Sequence, residues 1–293
     1  MRSVCCVFAV AGLAMLSSRP VEGDEVTIIP DRDNTLFESS AGLLSNGAGP
    51  SIFAGKTNFS ELLRRGLVRF DVAGAVPAGS TITGVSLTLF CSQASPGNRV
   101  MTLHRVSADW GEGASNAGLP GGGGATAEPG DATWLHRFYD TATWAAPGGD
   151  FAAAASGSAT VGGAGTTATW SSTPAMVADA QAWLDSPATN FGWAILGEET
   201  TPNTAKRFES RENPIEANRP MLRLTFTPPA GGCYANCDAS TTAPILNVND
   251  FVCFLNKFGA GDAYANCDAS TVAPVLNVND FTCFLNKFAA GCP

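Results

Sequence analysis

The chain has 293 residues, with 26 Asp and Glu against 17 Lys and Arg and a formal net charge of −9. That balance argues against a nucleic-acid partner, and it disfavours polyanionic ligands unless a local basic groove exists. Charged residues make up only 15% of the chain and Gly, Ala, Ser and Thr are abundant, a composition suited to an exported, mainly β protein.

Arg2 precedes an apolar run over residues 4–16, and Val21 and Gly23 stand just before Asp24. A positive start, a short apolar core and small residues before a cut predict a signal peptide over residues 1–23. The run is shorter than the roughly 20 apolar residues of a spanning helix, and no later stretch reaches that length. The mature chain is therefore expected to be secreted, extracellular or at the cell surface, with no transmembrane segment. Cleavage would remove Arg2, Arg19 and Glu22 and take the formal charge from −9 to −10. The remaining length suits two domains.

Residues 24–227 read as β-like segments at 67–72, 82–90, 100–106, 191–196 and 221–226, punctuated by turns. Glycine-rich stretches at 121–124 and 161–165 read as loops. One helix is predicted over 174–184, with Met176, Val177, Ala180 and Trp183 on one side. Many short strands with one short helix predict a mainly β fold, a β-sandwich of the jelly-roll type.

Six tryptophans fall in this body: Trp110, Trp134, Trp144, Trp170, Trp183 and Trp193. Sugar rings stack on exposed aromatic faces, so one or two could form a platform. Trp183 lies on the helix stripe and Trp193 in an apolar strand, which reads as core. Trp110 and Trp134, beside glycine-rich loops, are the candidate sugar contacts. A glycosidase needs two carboxylates facing one bond. Asp109, Glu112, Glu198, Glu199, Glu209 and Glu212 are available, but nothing in their spacing pairs them. His136, Arg137 and Tyr139 could serve a lyase, although the 135–139 segment reads more simply as a strand or loop with structural aromatics. Ser171 and Ser172 lack the G-x-S-x-G setting of a hydrolase nucleophile. No catalytic residue is assigned, and Arg211 with Glu212 is expected to form a structural ion-pair network.

Short pieces spread over the body resemble DNRLRE-domain proteins, which are related to a carbohydrate-binding module family. They include Asp33-Asn34-Thr35-Leu36, Arg65-Gly66-Leu67-Val68-Arg69-Phe70-Asp71, Asp109-Trp110-Gly111-Glu112 and Phe208-Glu209-Ser210-Arg211-Glu212-Asn213. The resemblance implies a jelly roll that binds polysaccharide.

Pro228-Pro229-Ala230-Gly231-Gly232 reads as a linker (228–232). Beyond it, residues 233–293 hold an internal repeat. Tyr234-Ala235-Asn236-Cys237-Asp238-Ala239-Ser240-Thr241 recurs as Tyr264-Ala265-Asn266-Cys267-Asp268-Ala269-Ser270-Thr271. Leu246-Asn247-Val248-Asn249-Asp250-Phe251 recurs as Leu276-Asn277-Val278-Asn279-Asp280-Phe281, and Cys-Phe-Leu-Asn-Lys-Phe follows in both copies. Each copy reads as a polar loop and a helix.

Asn236, Asp238 and Ser240 place oxygen side chains at alternate positions, so a curling backbone can aim them at one hard cation. The Ile245 carbonyl, Asn247 and Asp250 complete the ligand order of a calcium loop, with Asp250 last. Asn266, Asp268, Ser270, Val275, Asn277 and Asp280 repeat the set. Asn247 and Asp250 also resemble a helix cap and its partner three residues on. Phe251, Phe254, Leu255 and Phe258 form an apolar helix stripe that the second copy repeats with Phe281, Phe284, Leu285 and Phe288. The two stripes are expected to pack face to face.

Tandem calcium loop-helix repeats of this kind resemble a dockerin, the module that docks to a cohesin on a scaffold protein. The cysteines and the ending Ala289-Ala290-Gly291-Cys292 are similar to the GC-type variant. The resemblance implies Ca2+ as cofactor and a cohesin-like scaffold as partner. The tail departs from ordinary dockerins: Asn236 and Asn266 replace the first Asp, Pro244 and Pro274 lie in lengthened loops, and no mid-loop Gly is present. Each loop then offers two carboxylates, which should weaken calcium binding.

Six cysteines crowd this tail, and an even cluster in a short exported segment reads as a disulfide framework. Their places in the repeat predict Cys237–Cys253 and Cys267–Cys283 within each copy and Cys233–Cys292 between the ends. Cys91 is left as a buried free thiol. Two function classes remain: a secreted carbohydrate-binding or structural protein held by its tail, and a polysaccharide-degrading glycoside hydrolase or lyase with the same tail.

Overall fold

The computed structural model describes residues 24–58, 62–229, 233–240, 243–268 and 270–292. The expected signal peptide and residues 230–232 of the expected linker lie outside the described residues. Among the described residues, no helix is long and apolar enough to cross a membrane.

The strands of the body are β1 (Asp24–Ile28), β2 (Arg32–Phe37), β3 (Leu44–Ser45), β4 (Ser51–Lys56), β5 (Leu63–Arg69), β6 (Thr81–Ala94) and β7 (Arg99–Arg105). They continue as β8 (Ala125–Thr126), β9 (His136–Phe138), β10 (Ala142–Thr143), β11 (Gly157–Val161), β12 (Thr166–Trp170), β13 (Trp193–Leu196), β14 (Lys206–Glu209) and β15 (Met221–Thr227). The helices are α1 (Val72–Ala75) and α2 (Pro174–Asp185) in the body, and α3 (Val248–Ala260) and α4 (Val278–Ala290) in the tail.

An 11-stranded sheet runs in the order β1-β15-β6-β14-β4-β5-β13-β7-β11, with β12 also on β6 and β2 also on β5. Every pairing within it is antiparallel. The sheet curls through β4. Ser51 to Ala54 pair with β14, whereas Gly55 and Lys56 pair with β5. The result is a sandwich-like body. Between its layers Leu87, Leu89, Phe208, Leu222 and Leu224 meet Val68, Met101, Leu103, Trp193 and Ile195 in one buried cluster. The period-2 alternation of β6 explains its half: Val85, Leu87, Leu89 and Cys91 are buried and their neighbours are not. Cys91 is a free, buried thiol, as expected, and burial pushes its pKa up.

Helix α2 ends one residue beyond the expected helix. Thr173 caps it through Met176 N–H, Pro174 fills the first turn, and Met176, Ala180 and Trp183 enter the same cluster. Strand β5 stops at Arg69 rather than 72, because Asp71 caps α1 through Gly74 N–H.

A second cluster covers the other face of the β2–β5–β13–β7 layer. Leu36, Leu67 and Ala194 point outward there and meet Trp110, Trp134 and Trp144 from the long excursion between β7 and β11. That layer is therefore buried on both faces. In the tail, Phe254 and Phe284 are fully buried and stack with centroids 4.2 Å apart, and Phe251 meets Phe281. The expected face-to-face packing is present. Leu255 and Leu285 are a correction to the expected stripe: they lie 43% and 41% exposed, because close stacking of the phenylalanines leaves the i+4 position outside the contact.

Candidate ligand-binding and calcium sites

Each tail copy is closed by the disulfide expected from its sequence, Cys237–Cys253 or Cys267–Cys283, and Cys233–Cys292 joins the two ends. The loop geometry repeats closely. The amide of Ser240 donates to Asn236 Oδ1 at 3.0 Å and to Asp238 Oδ1 at 2.9 Å, so both side-chain oxygens converge on one point. Ser270 does the same with Asn266 and Asp268. Asp250 is fully buried: Oδ1 accepts from Asp238 N–H at 3.2 Å and Oδ2 from Asn247 N–H at 2.9 Å. Asp280 repeats this with Asp268 and Asn277. Asn247 and Asn277 complete two capping boxes, so the dual role seen in the sequence is present in both copies.

Ser270 Oγ donates to the Val275 carbonyl at 3.1 Å, which brings two more expected ligands together. The Ile245 side chain is exposed. An all-oxygen donor set of this kind fits a hard cation such as Ca2+. Burial raises the Asp280 carboxyl, but the amides of Asn277, Asp268 and Cys267 outweigh it and hold the group below its ordinary value.

In the body, Asp33, Glu112 and Glu212 bring carboxylate oxygens within 4.8 Å of one another around Arg211. Arg211 forks onto Glu112 at 2.7 and 2.6 Å, and its Nε lies 2.8 Å from Glu212 Oε1. The expected Arg211–Glu212 network is thus present, with Glu112 as its missed third member. Asp33 is 1% exposed, its Oδ2 accepts from Arg211 N–H at 2.8 Å, and its own N–H donates to Glu112. Glycine makes this approach possible: a Cβ on Gly47 would lie 1.6 Å from the Glu112 carbonyl oxygen. Burial first, then Glu212 and Glu112, push Asp33 well above the ordinary carboxylate range; burial and Glu112 raise Glu212. Glu212 Oε2 is buried and accepts no hydrogen bond among the described residues.

The other candidate acids each hold a separate partner. Asp109 pairs with Arg32, Glu199 forks onto Arg65, and Glu209 accepts from Asn213. Glu198 accepts from Thr200. His136 and Tyr139 meet edge to face at 5.3 Å, and Arg137 donates to the Asp109 carbonyl. His136 and Arg137 lie on β9, paired with β10.

The tryptophan expectation needs correcting. Trp110 is 0% exposed, with Nε1 donating to the Phe191 carbonyl, so its ring is core and no sugar platform. Trp134 is 8% exposed under the Arg65 guanidinium, and only its margin lines a groove of about 670 Å³ with Glu38, Leu44 and Leu135. Both rings are drawn inward because the β2–β5–β13–β7 layer needs a second apolar cover.

A different groove, about 550 Å³, opens where β4, β14 and β6 meet the 120–123 loop. Phe53, Arg207 and Gln93 stand in register across these three strands and all line it. Arg64, Asn203 and Lys206 line it as well. Sequence reasoning missed this site because its residues come from four distant segments. No protein-family model matches the chain, and no curated protein matches it.

Proposed function

We propose that the chain is a secreted carbohydrate-binding or structural protein attached to a surface or scaffold complex through its tail. In this reading the body is a DNRLRE-like jelly roll that binds polysaccharide. The tail is a GC-type dockerin-like module that holds Ca2+ and docks to a cohesin-like partner. The three tail disulfides suit an oxidising, extracellular setting.

One observation carries the docking half. Outside the phenylalanine seam, α3 exposes Val248, Val252 and Leu255, and α4 exposes Val278 and Leu285 at matching places. Apolar side chains at i, i+4 and i+7 form a helix face suited to a protein partner. In each loop Asn236 or Asn266, Asp238 or Asp268, and Ser240 or Ser270 would hold the cation with the later oxygens, and bound Ca2+ would fix the angle at which that helix leaves the loop. The full chain should bind a member of a cohesin panel in calcium and release it in chelator. Retention in chelator, or no capture by any cohesin, would sink this half.

The runner-up is a polysaccharide-degrading enzyme, a glycoside hydrolase or lyase. The raised carboxyls of Asp33 and Glu212 favour it, since perturbed acids gather at catalytic sites. Against it, those groups line none of the described grooves, and their oxygens sit closer together than the roughly 5 Å or more that separates a glycosidase pair. Incubation with a broad glycan panel should release neither reducing ends nor unsaturated products.

A further inference from the structure

We propose that the groove lined by Phe53, Arg64, Lys206 and Arg207 seats an acidic sugar residue, a uronate or a sulfate ester, of the polysaccharide bound by the body. The inference rests on the polysaccharide reading above and adds the charge class of the ligand. A local basic groove is the exception under which a chain of net charge −9 accepts a polyanionic ligand.

The volume, about 550 Å³, falls within the roughly 300–1,000 Å³ of small-ligand pockets. Three cations line the groove and, among the described residues, no Asp or Glu does, in a chain where acids outnumber bases 26 to 17. Most other arginines of the body are matched to carboxylates, as Arg65 is to Glu199 and Arg69 to Asp31, although Arg99 and Arg137 have no carboxylate at ion-pair distance among the described residues. Arg64, Lys206 and Arg207 have no carboxylate at ion-pair distance among the described residues.

The three cations differ in what they can offer. Lys206 is 1% exposed, and its Nζ donates to the carbonyls of Ser95, Gly97 and Gly162 at 2.8, 2.8 and 2.9 Å. All three donors are occupied, so Lys206 supplies positive potential rather than contact. Arg64 is buried, with Nε on the Gly122 carbonyl, Nη1 on the Leu63 carbonyl and the guanidinium over the Phe37 ring. Burial pulls its pKa down to about 10 while Glu38 acts on it from longer range, so it stays charged at neutral pH. A buried cation with only neutral partners is costly, and a ligand anion relieves that cost.

Arg207 uses Nε on Ser92 Oγ at 2.9 Å, which among the described residues leaves its two terminal nitrogens for the forked geometry that a carboxylate or sulfate accepts. The amide groups of Gln93 and Asn203 suit sugar hydroxyls, and the Phe53 ring suits the apolar face of a pyranose.

The test uses the full chain and measures binding to a polyuronate, a sulfated galactan and a neutral glucan at low and high salt. Binding to at least one acidic polymer should exceed binding to the glucan about tenfold and weaken with salt. The better of the two acidic polymers identifies the acid. Arg207→Glu should cost about tenfold or more in that binding at an unchanged melting temperature. Arg207→Lys should retain part of it. Glucan binding equal to or better than both acidic polymers, or acidic binding that ignores Arg207→Glu, overturns this inference and leaves the polysaccharide reading standing. No binding to any of the three polymers overturns both.

Discussion

Tyr234 and Tyr264, one repeat apart, stack ring on ring with centroids 4.8 Å apart and planes 5° from parallel. Each hydroxyl donates to the other residue's backbone carbonyl. Lys287 lies over the Tyr234 ring and Lys257 over the Tyr264 ring. Burial pushes both phenols up to about 12, with Tyr264 and Asp280 adding at Tyr234 and Asp250 adding at Tyr264. The folded value thus exceeds the unfolded value of about 10. A raised pKa contributes stability that is whole below pH about 10 and is lost as pH rises through about 12. In a Tyr139→Phe background, tyrosinate absorbance reports the tail pair alone. It should rise near pH 12 together with loss of tail amide protection. Titration near 10 in the folded chain would contradict the buried, mutually bonded arrangement.

The three disulfides should not contribute equally. Cys233–Cys292 spans 59 residues, whereas Cys237–Cys253 and Cys267–Cys283 each span 16. In the chain-entropy account these amount to about 4 kcal/mol for the first and about 3 kcal/mol for each of the others. A segment of this size has little core beyond Phe254 and Phe284, so removing the end clasp should be the most damaging single change. Hydrogen exchange of the full chain can compare Cys233→Ser/Cys292→Ser with Cys267→Ser/Cys283→Ser. Greater loss of protection in the second variant would reverse the ranking.

Asp250 and Asp280 separate calcium binding from capping. Their oxygens already close the loops through backbone amides, so the tail should hold its fold in chelator. Two carboxylates per loop point to weak affinity, on the order of 10⁻⁴ to 10⁻³ M, typical of extracellular modules. At about 10 mM calcium that gives roughly 1–3 kcal/mol of stabilisation per site by mass action. Asp250→Asn/Asp280→Asn should lower the baseline by about 1–2 kcal/mol through the caps and also abolish the calcium increment. The increment, rather than the baseline, is the readout. A tail whose protection in calcium equals that in chelator would remove calcium from the proposed function.

The tail was legible because its signals are local and repeated: the loop oxygens, the caps, the phenylalanine stripes and the two 16-residue cysteine spacings each lie within one 30-residue period, the distance from Cys237 to Cys267. The body was less so. Strand β2 buries Asp33, Asn34 and Thr35, and β14 buries Lys206, polar residues that read as surface in isolation. Their burial depends on partners from distant segments: Ser45 and the Glu112 carbonyl for Asn34, and three loop carbonyls for Lys206. Trp110 was misplaced for the same reason, since only the tertiary fold shows that the outer face of β5 and β13 carries an apolar cover. The basic groove, assembled from four segments, left no local signal at all.

The Asp33 cluster yields a prediction of opposite sign to the tail caps. Three carboxylates gather there around one guanidinium, which pairs with Glu112 and Glu212 while Asp33 takes only the Arg211 amide, so the cluster carries excess negative charge in a buried setting. Burial and the neighbouring carboxylates hold Asp33 and Glu212 above their ordinary values. An acid raised in the folded state contributes stability that is present below its unfolded pKa and lost as pH rises through the folded value. The body should therefore weaken from about pH 4 upward until both groups are ionised. Asp33→Asn keeps a side-chain oxygen for the Arg211 amide, removes one negative charge and adds a donor that can face Glu112 or Glu212. It should raise stability at pH 7 by about 1 kcal/mol and flatten the slope with pH. Glu112→Gln breaks the fork to Arg211 and should instead cost about 2 kcal/mol. Urea midpoints of the body, followed by the fluorescence of its tryptophans at pH 5 and pH 8, separate the two. An Asp33→Asn chain less stable than the parent at pH 8 would show that the Asp33 carboxylate is needed in its charged form.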